Sequence, residues 1–308
     1  MQFMKTPAII LAKVSVTGFL FWYLTTKIDF SESFNRILSI SPGAVILVVS
    51  LIIAGLAIVS LRWKTIMSKI GIDLETLTFF KTYLVANFFN VTLLSSLTGD
   101  AFRMWKLSRI TKPLIKIFNG IVLDRLMGML GLIIIIAFGI STLPTEEIEQ
   151  WTKRSLFALL IILIIAYLIL ARIKSLPKSL EKWRIVKFLK KISTDTVALV
   201  KDYRCFSLMI LYSIAIHVIS IFVLYILAIS LGITIDFLTS FALFAIVIFS
   251  MLIPISIAGW GVREGVMVVL LGLIGISSES ALALSILYGI ILTIVGLMGG
   301  IFWLFERK

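Results

Sequence analysis

Arg103 and Arg263 each follow a glycine by four residues, at Gly99 and Gly259, within long apolar text. A guanidinium just inside a new helix start would share its place with free backbone N–H groups and a partial positive charge. Its planar fork also suits a phosphate oxygen pair, so the chemistry on offer is anion binding. Asp100 stands where it could cap the first of these helices, and Glu264 directly follows Arg263. Asp124 and Arg125 lie about two turns into another apolar segment. Neighbouring positions on a helix point roughly 100° apart, so neither satisfies the other and each needs a partner elsewhere. Asp124–Arg263 and Arg125–Glu264 are the crossing pairs this predicts. A static buried salt-bridge network and a proton- or substrate-coupled role both fit residues of this type.

Asn90 and Asn87 can line the same region or bridge helices, and Trp260, beside Gly261, can pack or meet a lipid tail. His217 stands alone in mid-segment, which fits a hydrogen-bonded packing residue more simply than a relay. With one histidine and one cysteine, Cys205, the chain lacks the ligand set of the usual metal sites. It has no G-x-x-x-x-G-K-[ST] loop, no G-x-S-x-G and no H-E-x-x-H. No cofactor is expected, and the chain is not expected to be an enzyme.

The elements that must position these residues are membrane helices. The 308 residues are 60% hydrophobic with a mean hydropathy of +1.12. Apolar runs near 20 residues match the roughly 30 Å of hydrocarbon that a helix must cross. Six spans are predicted, at Pro7–Leu24, Pro42–Ser60, Phe118–Ile140, Ser155–Ala171, Phe206–Ser230 and Ala281–Phe305. The first has no small-residue cleavage site after it and is expected to stay in place. Two further segments, 76–102 and 237–276, are interrupted. They hold two stretches, Phe89–Arg103 and Phe249–Arg263, that share Phe, Ser, Gly and Arg in register. Paired interruptions of this kind point to a transport site near the bilayer midplane.

The net charge of +13 is distributed as a membrane protein distributes it, and nucleic acid gains no support beyond the charge itself. Lys5, 61–75, 103–116, 171–204 and the C-terminal tail carry +1, +1, +5, +7 and +1, which places them and both termini in the cytoplasm. Segments 25–41, 141–154, 230–240 and 276–280 carry 0, −1, −1 and −1. Two cytoplasmic segments, 61–75 and 103–116, then flank a single apolar run. One crossing would invert every later loop, so a re-entrant inner hairpin over 76–116 is the economical solution. An outer hairpin over 237–276 mirrors it, broken at Pro254, Gly259 and Gly261. Within 173–204, Leu180, Trp183, Val186, Phe188, Leu189 and Ile192 form one face of a basic in-plane helix, a surface support or a dock for a cytoplasmic partner. Trp22, Trp63, Trp105, Trp151, Trp183 and Trp303 fall where an interfacial aromatic belt would lie.

Three blocks together resemble the flippase-like membrane domain of lysylphosphatidylglycerol synthases. They are Asn90…Leu93…Gly99-Asp100…Arg103…Leu107, then Asp124-Arg125…Gly128, then Pro254…Gly259-Trp260-Gly261-Val262-Arg263-Glu264. The resemblance implies an all-α polytopic domain over 1–308, with about six full spans and two broken or re-entrant hairpins in an inverted-repeat arrangement. It implies movement of a phospholipid or lipid-linked headgroup between leaflets of the cytoplasmic membrane. In full-length synthases a soluble aminoacyl-transferase domain follows this region; here the chain ends at Lys308, so the synthase reaction is expected to be absent. The partners implied are membrane lipids with anionic or phosphate-containing headgroups, and an envelope lipid- or glycan-modifying enzyme. Two other classes stay open: a membrane-embedded enzyme acting on a lipid phosphate or polyprenyl-linked sugar, and a non-transporting scaffold for an envelope lipid synthase.

Overall fold

The computed structural model describes residues 40–92, 96–142, 201–252, 256 and 259–306, with scattered positions between 15 and 38 and between 154 and 165. The helices expected at Pro7–Leu24 and Ser155–Ala171 and the in-plane helix at 173–204 fall largely outside these residues, as do Ser95 and Pro254. Among the described residues the chain is helical and contains no strand. Among the described residues eight helices have defined bounds: α1 Pro42–Lys69, α2 Thr76–Thr92, α3 Ser96–Ser108, α4 Leu114–Thr142, α5 Tyr203–Ser230, α6 Phe237–Ser250, α7 Val262–Gly272 and α8 Ser278–Glu306.

Four of these, α1, α4, α5 and α8, are long and apolar enough to cross a membrane. Their starts are written in the sequence. Ser41 caps α1 by accepting from the Ala44 N–H, with Pro42 in the first turn, where a missing N–H costs nothing. Asp202 and Asp236 cap α5 and α6 in the same way, accepting from Cys205 and Thr239. At the other end of α1, Gly71 at φ +85° lets the Ile72 N–H turn back to the Met67 carbonyl.

The remaining four helices form two broken pairs. At about 1.5 Å per residue, α2, α3, α6 and α7 are all shorter than the roughly 30 Å core. The α2–α3 pair opens toward the end where α1 finishes: Lys64 of α1 donates to Thr76 at the start of α2, and Lys116, just after the 109–113 turn, lies near Gly71. Lys69 pairs with Asp202 at the same end, so α5 starts there too. The α6–α7 pair opens toward the opposite end, where Phe237 packs on Tyr225 late in α5 and Ala242 meets Gly139 late in α4.

Lipid tails are as apolar as leucine, so helices here associate through close packing and polar contacts more than through hydrophobic burial. Glycine marks the crossings. On α4, Gly120, Gly128, Gly131 and Gly139 fall within an arc of roughly 100° and face Met67, Arg62, Ser213 and Ala242. On α8, Gly296, Gly299 and Gly300 receive Val91, Leu84 and Phe88 of α2. In their most apolar windows, 56% of α4 and 61% of α8 is buried, against 17% of α1 and 28% of α5, so the first two are the central posts.

The helix limits correct the sequence reading at two places, the end of α1 and the start of α3. α1 does not end at Ser60 but runs on to Lys69, because Ser60, Trp63, Ile66 and Met67 continue one packed face. Arg62 and Trp63 are therefore inside the molecule: Trp63 is not a belt residue, and Arg62 is not a surface charge. Gly99 is not in the first break but in the first turn of α3, where a Cβ would sit 2.5 Å from the Ala86 carbonyl oxygen. Asp100, in consequence, is past the position of a cap.

Candidate functional site

The first break brings a charged network together from five helices. Arg62 of α1 donates from Nε to Asp124 Oδ1 at 2.8 Å and from Nη1 to Ser213 Oγ of α5 at 3.0 Å. Arg103 of α3 donates from Nη2 to Asp124 Oδ2 at 2.9 Å and from Nη1 to Asp100 Oδ1 at 3.1 Å. Arg125 of α4 donates to the other oxygen of Asp100. The Arg103 guanidinium also lies over the rings of Trp63 and Tyr83, at 4.0 and 4.5 Å from their centroids. Tyr83 brings α2 into the network. Cation–π contacts of this kind strengthen once water is excluded.

Burial is graded across the network. Arg62, Arg103 and Asp124 are sealed, whereas the Asp100 and Arg125 side chains are 19% and 36% exposed. Among the described residues, Asp124 joins Arg62 to Arg103, and Asp100 joins Arg103 to Arg125. Two buried N–H donors, Arg103 Nε and Trp63 Nε1, have no acceptor. A buried donor without a partner costs on the order of 1–3 kcal/mol, so both favour an incoming oxygen.

Asn90 shapes the tip of this hairpin. Its Oδ1 accepts from the Gly99 N–H at 2.8 Å, and Thr98 donates to the Phe89 carbonyl at 2.7 Å, so the two arms are tied where they turn.

The second break is built differently. Gly259 and Gly261 have φ of +83° and +87°, a region that side-chain-bearing residues avoid. Gly261 caps α7, and Glu264 Oε2 accepts its N–H at 2.5 Å, the return half of a capping box. Glu264 Oε1 accepts from Arg263 Nη2 at 2.5 Å and from Ser285 Oγ of α8 at 3.1 Å. Arg263 Nε donates to Ser285 at 3.0 Å, and its guanidinium lies 4.6 Å from the Trp260 ring. Arg263 and Glu264 are almost wholly buried and balance one another. Adjacent residues do pair here, against the expectation from helical spacing, because Arg263 is long enough to curl back within the first turn.

The two clusters do not meet. Asp124 and Ser213 lie ten residues into α4 and α5, about 15 Å from the end where those helices start. Ser285 lies seven residues into α8, about 10 Å from the opposite end. Asp124–Arg263 and Arg125–Glu264 are therefore not formed; each acid finds its arginine at its own depth. The breaks themselves come closer. Val91 packs on Gly296, while Arg263 and Trp260 pack on Gly289, about 10 Å apart along the middle of α8.

Sequence reasoning found Arg103, Asp100, Asp124 and Arg125 but missed Arg62, Trp63, Tyr83 and Ser213. The available signal was the i, i+4 pattern Val59–Trp63–Met67, which carries the α1 face past the apolar run. His217 donates through Nε2 to the Gly128 carbonyl at 2.9 Å and so braces α4 against α5. Among the described residues, no three His, Cys, Asp or Glu side chains gather as a metal site would need.

No curated protein matches the chain. The family described as lysylphosphatidylglycerol synthase TM region matches residues 10–300, nearly the whole length, and takes in both broken pairs and both charged clusters. This chain belongs to that family.

Proposed function

We propose that this protein moves a phospholipid or lipid-linked headgroup between membrane leaflets, as a flippase or scramblase and not as an enzyme. Family membership supplies the link to membrane lipid. The buried Arg62–Asp124–Arg103 network, held at mid-depth of an apolar bundle with Arg103 Nε and Trp63 Nε1 left without acceptors, carries the reading. Ionisable groups at this depth are costly in hydrocarbon and mark substrate paths by default.

In this reading the phosphate of a headgroup enters from the exposed side, at Asp100 and Arg125. It competes with Asp100 for Arg125 and Arg103, while Asp124 keeps Arg62 in place. Arg103 Nε and Trp63 Nε1 are free to donate to its oxygens. The lipid tails stay in the surrounding bilayer. The Arg263–Glu264–Ser285 cluster, already neutral and closed, locks the outer pair to α8. The two broken pairs open toward opposite ends, which supports an inverted repeat, and rocking of one pair against the other would give alternating access. By the charge rule both termini face the cytoplasm of the cell membrane. With no nucleotide loop, an ion gradient, the membrane potential or mass action drives the movement. An envelope lipid- or glycan-modifying enzyme would supply or use the lipid moved.

The test is transbilayer movement of fluorescent phospholipids in vesicles holding the purified protein. The wild-type protein accelerates exchange over protein-free vesicles, and Arg103→Gln lowers the protein-dependent rate about tenfold or more, the loss of roughly 1.4 kcal/mol per decade. Exchange no faster than the protein-free control across several headgroups rejects the proposal.

A further inference from the structure

Beyond the buried network, α1 and α5 part toward the basic end and leave a groove of about 510 Å³. Its walls are Leu61, Lys64, Thr65, Ser68 and Lys69 of α1, and Cys205 and Tyr212 of α5. The volume falls within the roughly 300–1,000 Å³ of small-molecule sites. The α1 residues stand at i, i+3, i+4, i+7 and i+8, one continuous helix face. Leu61 and Tyr212 sit beside Arg62 and Ser213, whose hydrogen bond closes the helix pair immediately inward.

Charge and shape both describe a ligand. Lys64 and Lys69 face the groove, and two acids stand beside it: Asp202, paired with Lys69, and Asp73, which accepts from Ser68. The hydrogen bond from Lys69 holds the Asp202 carboxylate below its ordinary range, so the pair is ionised on both sides at neutral pH. That pair is open to water, with side chains 43% and 35% exposed, and an exposed pair contributes little and yields readily to another anion. Lys64 has only a neutral partner, the Thr76 hydroxyl at 2.7 Å. The outer flank is apolar: Leu208 and Leu211 of α5 are 39% and 61% exposed on turns adjoining Tyr212. A polar cleft with a greasy flank fits a molecule that carries a phosphate on an acyl tail, and a free anion makes no use of the flank.

We infer that the α1–α5 groove is a binding site for the phosphate of an anionic phospholipid, held by Lys64 and Lys69 at the basic end of the bundle. This rests on the reading of the chain as a lipid carrier, but it is an equilibrium binding claim and is tested without transport. The only cysteine of the chain, Cys205, lines the groove and reports on its occupancy.

The experiment follows alkylation of Cys205 by a water-soluble maleimide on the full chain in a neutral detergent. Short-chain phosphatidylglycerol slows alkylation at least fivefold and saturably, whereas short-chain phosphatidylcholine changes it less than twofold. Lys64→Ala with Lys69→Ala abolishes the protection, and Lys64→Arg with Lys69→Arg retains it, which separates lost charge from lost fold. Equal protection by inorganic phosphate would reassign the groove to free anions and overturn the proposal. So would protection that survives the double alanine change, or equal protection by the zwitterionic lipid. A groove that binds in a protein that fails to move lipid leaves this inference standing and removes the transport reading.

Discussion

Asp124 is the residue on which the network turns, because each of its carboxylate oxygens accepts from a different buried guanidinium. Asp124→Ala strands Arg62 and Arg103 together without their shared acid. Removing one partner of a buried ion pair costs about 3–5 kcal/mol, so thermal unfolding in detergent is expected to move down by several degrees or the fold to fail. Arg263 and Glu264 give the opposite lesson. Each single change, Arg263→Met or Glu264→Gln, leaves one buried charge, whereas the double change leaves none. The double variant is therefore expected to be more stable than either single one, with a coupling of at least about 1.5 kcal/mol in a double-mutant cycle of unfolding. Strict additivity would show that the pair does not act as a unit. These residues were legible in the sequence as isolated charges in apolar text. Their partners were not. Arg62 hid at the edge of a hydrophobic run, where charge normally marks the membrane surface, and only the packed face of α1 shows that the edge lies inside.

At the scale of the element, the long helices follow from apolar length and caps, while the breaks do not follow from glycine alone. Gly99 and Gly259 occupy the same place in the repeated stretch but opposite roles. Gly259 adopts a positive φ in an open turn, and Gly99 is helical and gives up its side chain so that Asn90 and Ala86 can approach. A sequence pattern records the missing side chain in both cases and cannot say which use it serves. The α8 crossings make a sharper case. A Cβ on Gly299 would lie 2.1 Å from the Leu84 carbonyl oxygen of α2, a backbone atom that cannot move by itself. Gly299→Ala is expected to cost about 1–3 kcal/mol through overpacking, seen as a lower unfolding midpoint. Gly265, in α7, has nothing near its missing Cβ, so Gly265→Ala is expected to be neutral or to stabilise by up to about 1 kcal/mol. Equal losses at the two sites would mean that backbone conformation, and not helix approach, sets the requirement.

For the whole molecule, the charge pattern and the packing bear on the topology by separate routes. The charge rule places 61–75 and 103–116 on one side, although Arg62 and Arg103 must now be withdrawn from that count as buried groups. Without them 61–75 carries no net charge and 103–116 carries +4, so the excess of that side rests on 103–116 and 171–204. Independently, the Lys64–Thr76 contact, the nearness of Lys116 to Gly71 and the Lys69–Asp202 pair gather the ends of α1 and α3 with the starts of α2, α4 and α5. A chain that enters by α2 and leaves by α3 at one end has not crossed. In a Cys205→Ser background, single cysteines at the exposed positions Asp73, Lys112 and Lys201 are expected to react with a membrane-impermeant maleimide from one side only. Cysteines at the exposed Thr234 and Ser277 are expected to react from the other. Lys112 is the diagnostic position. If it labels with Thr234, then α2 and α3 make a single crossing, Arg103 and Asp100 approach the far surface, and a headgroup site entered from the basic end is untenable. If it labels with Asp73, the network stands at the bottom of a re-entrant pocket, where the unpartnered Arg103 Nε and Trp63 Nε1 can donate to a headgroup entering from the basic end.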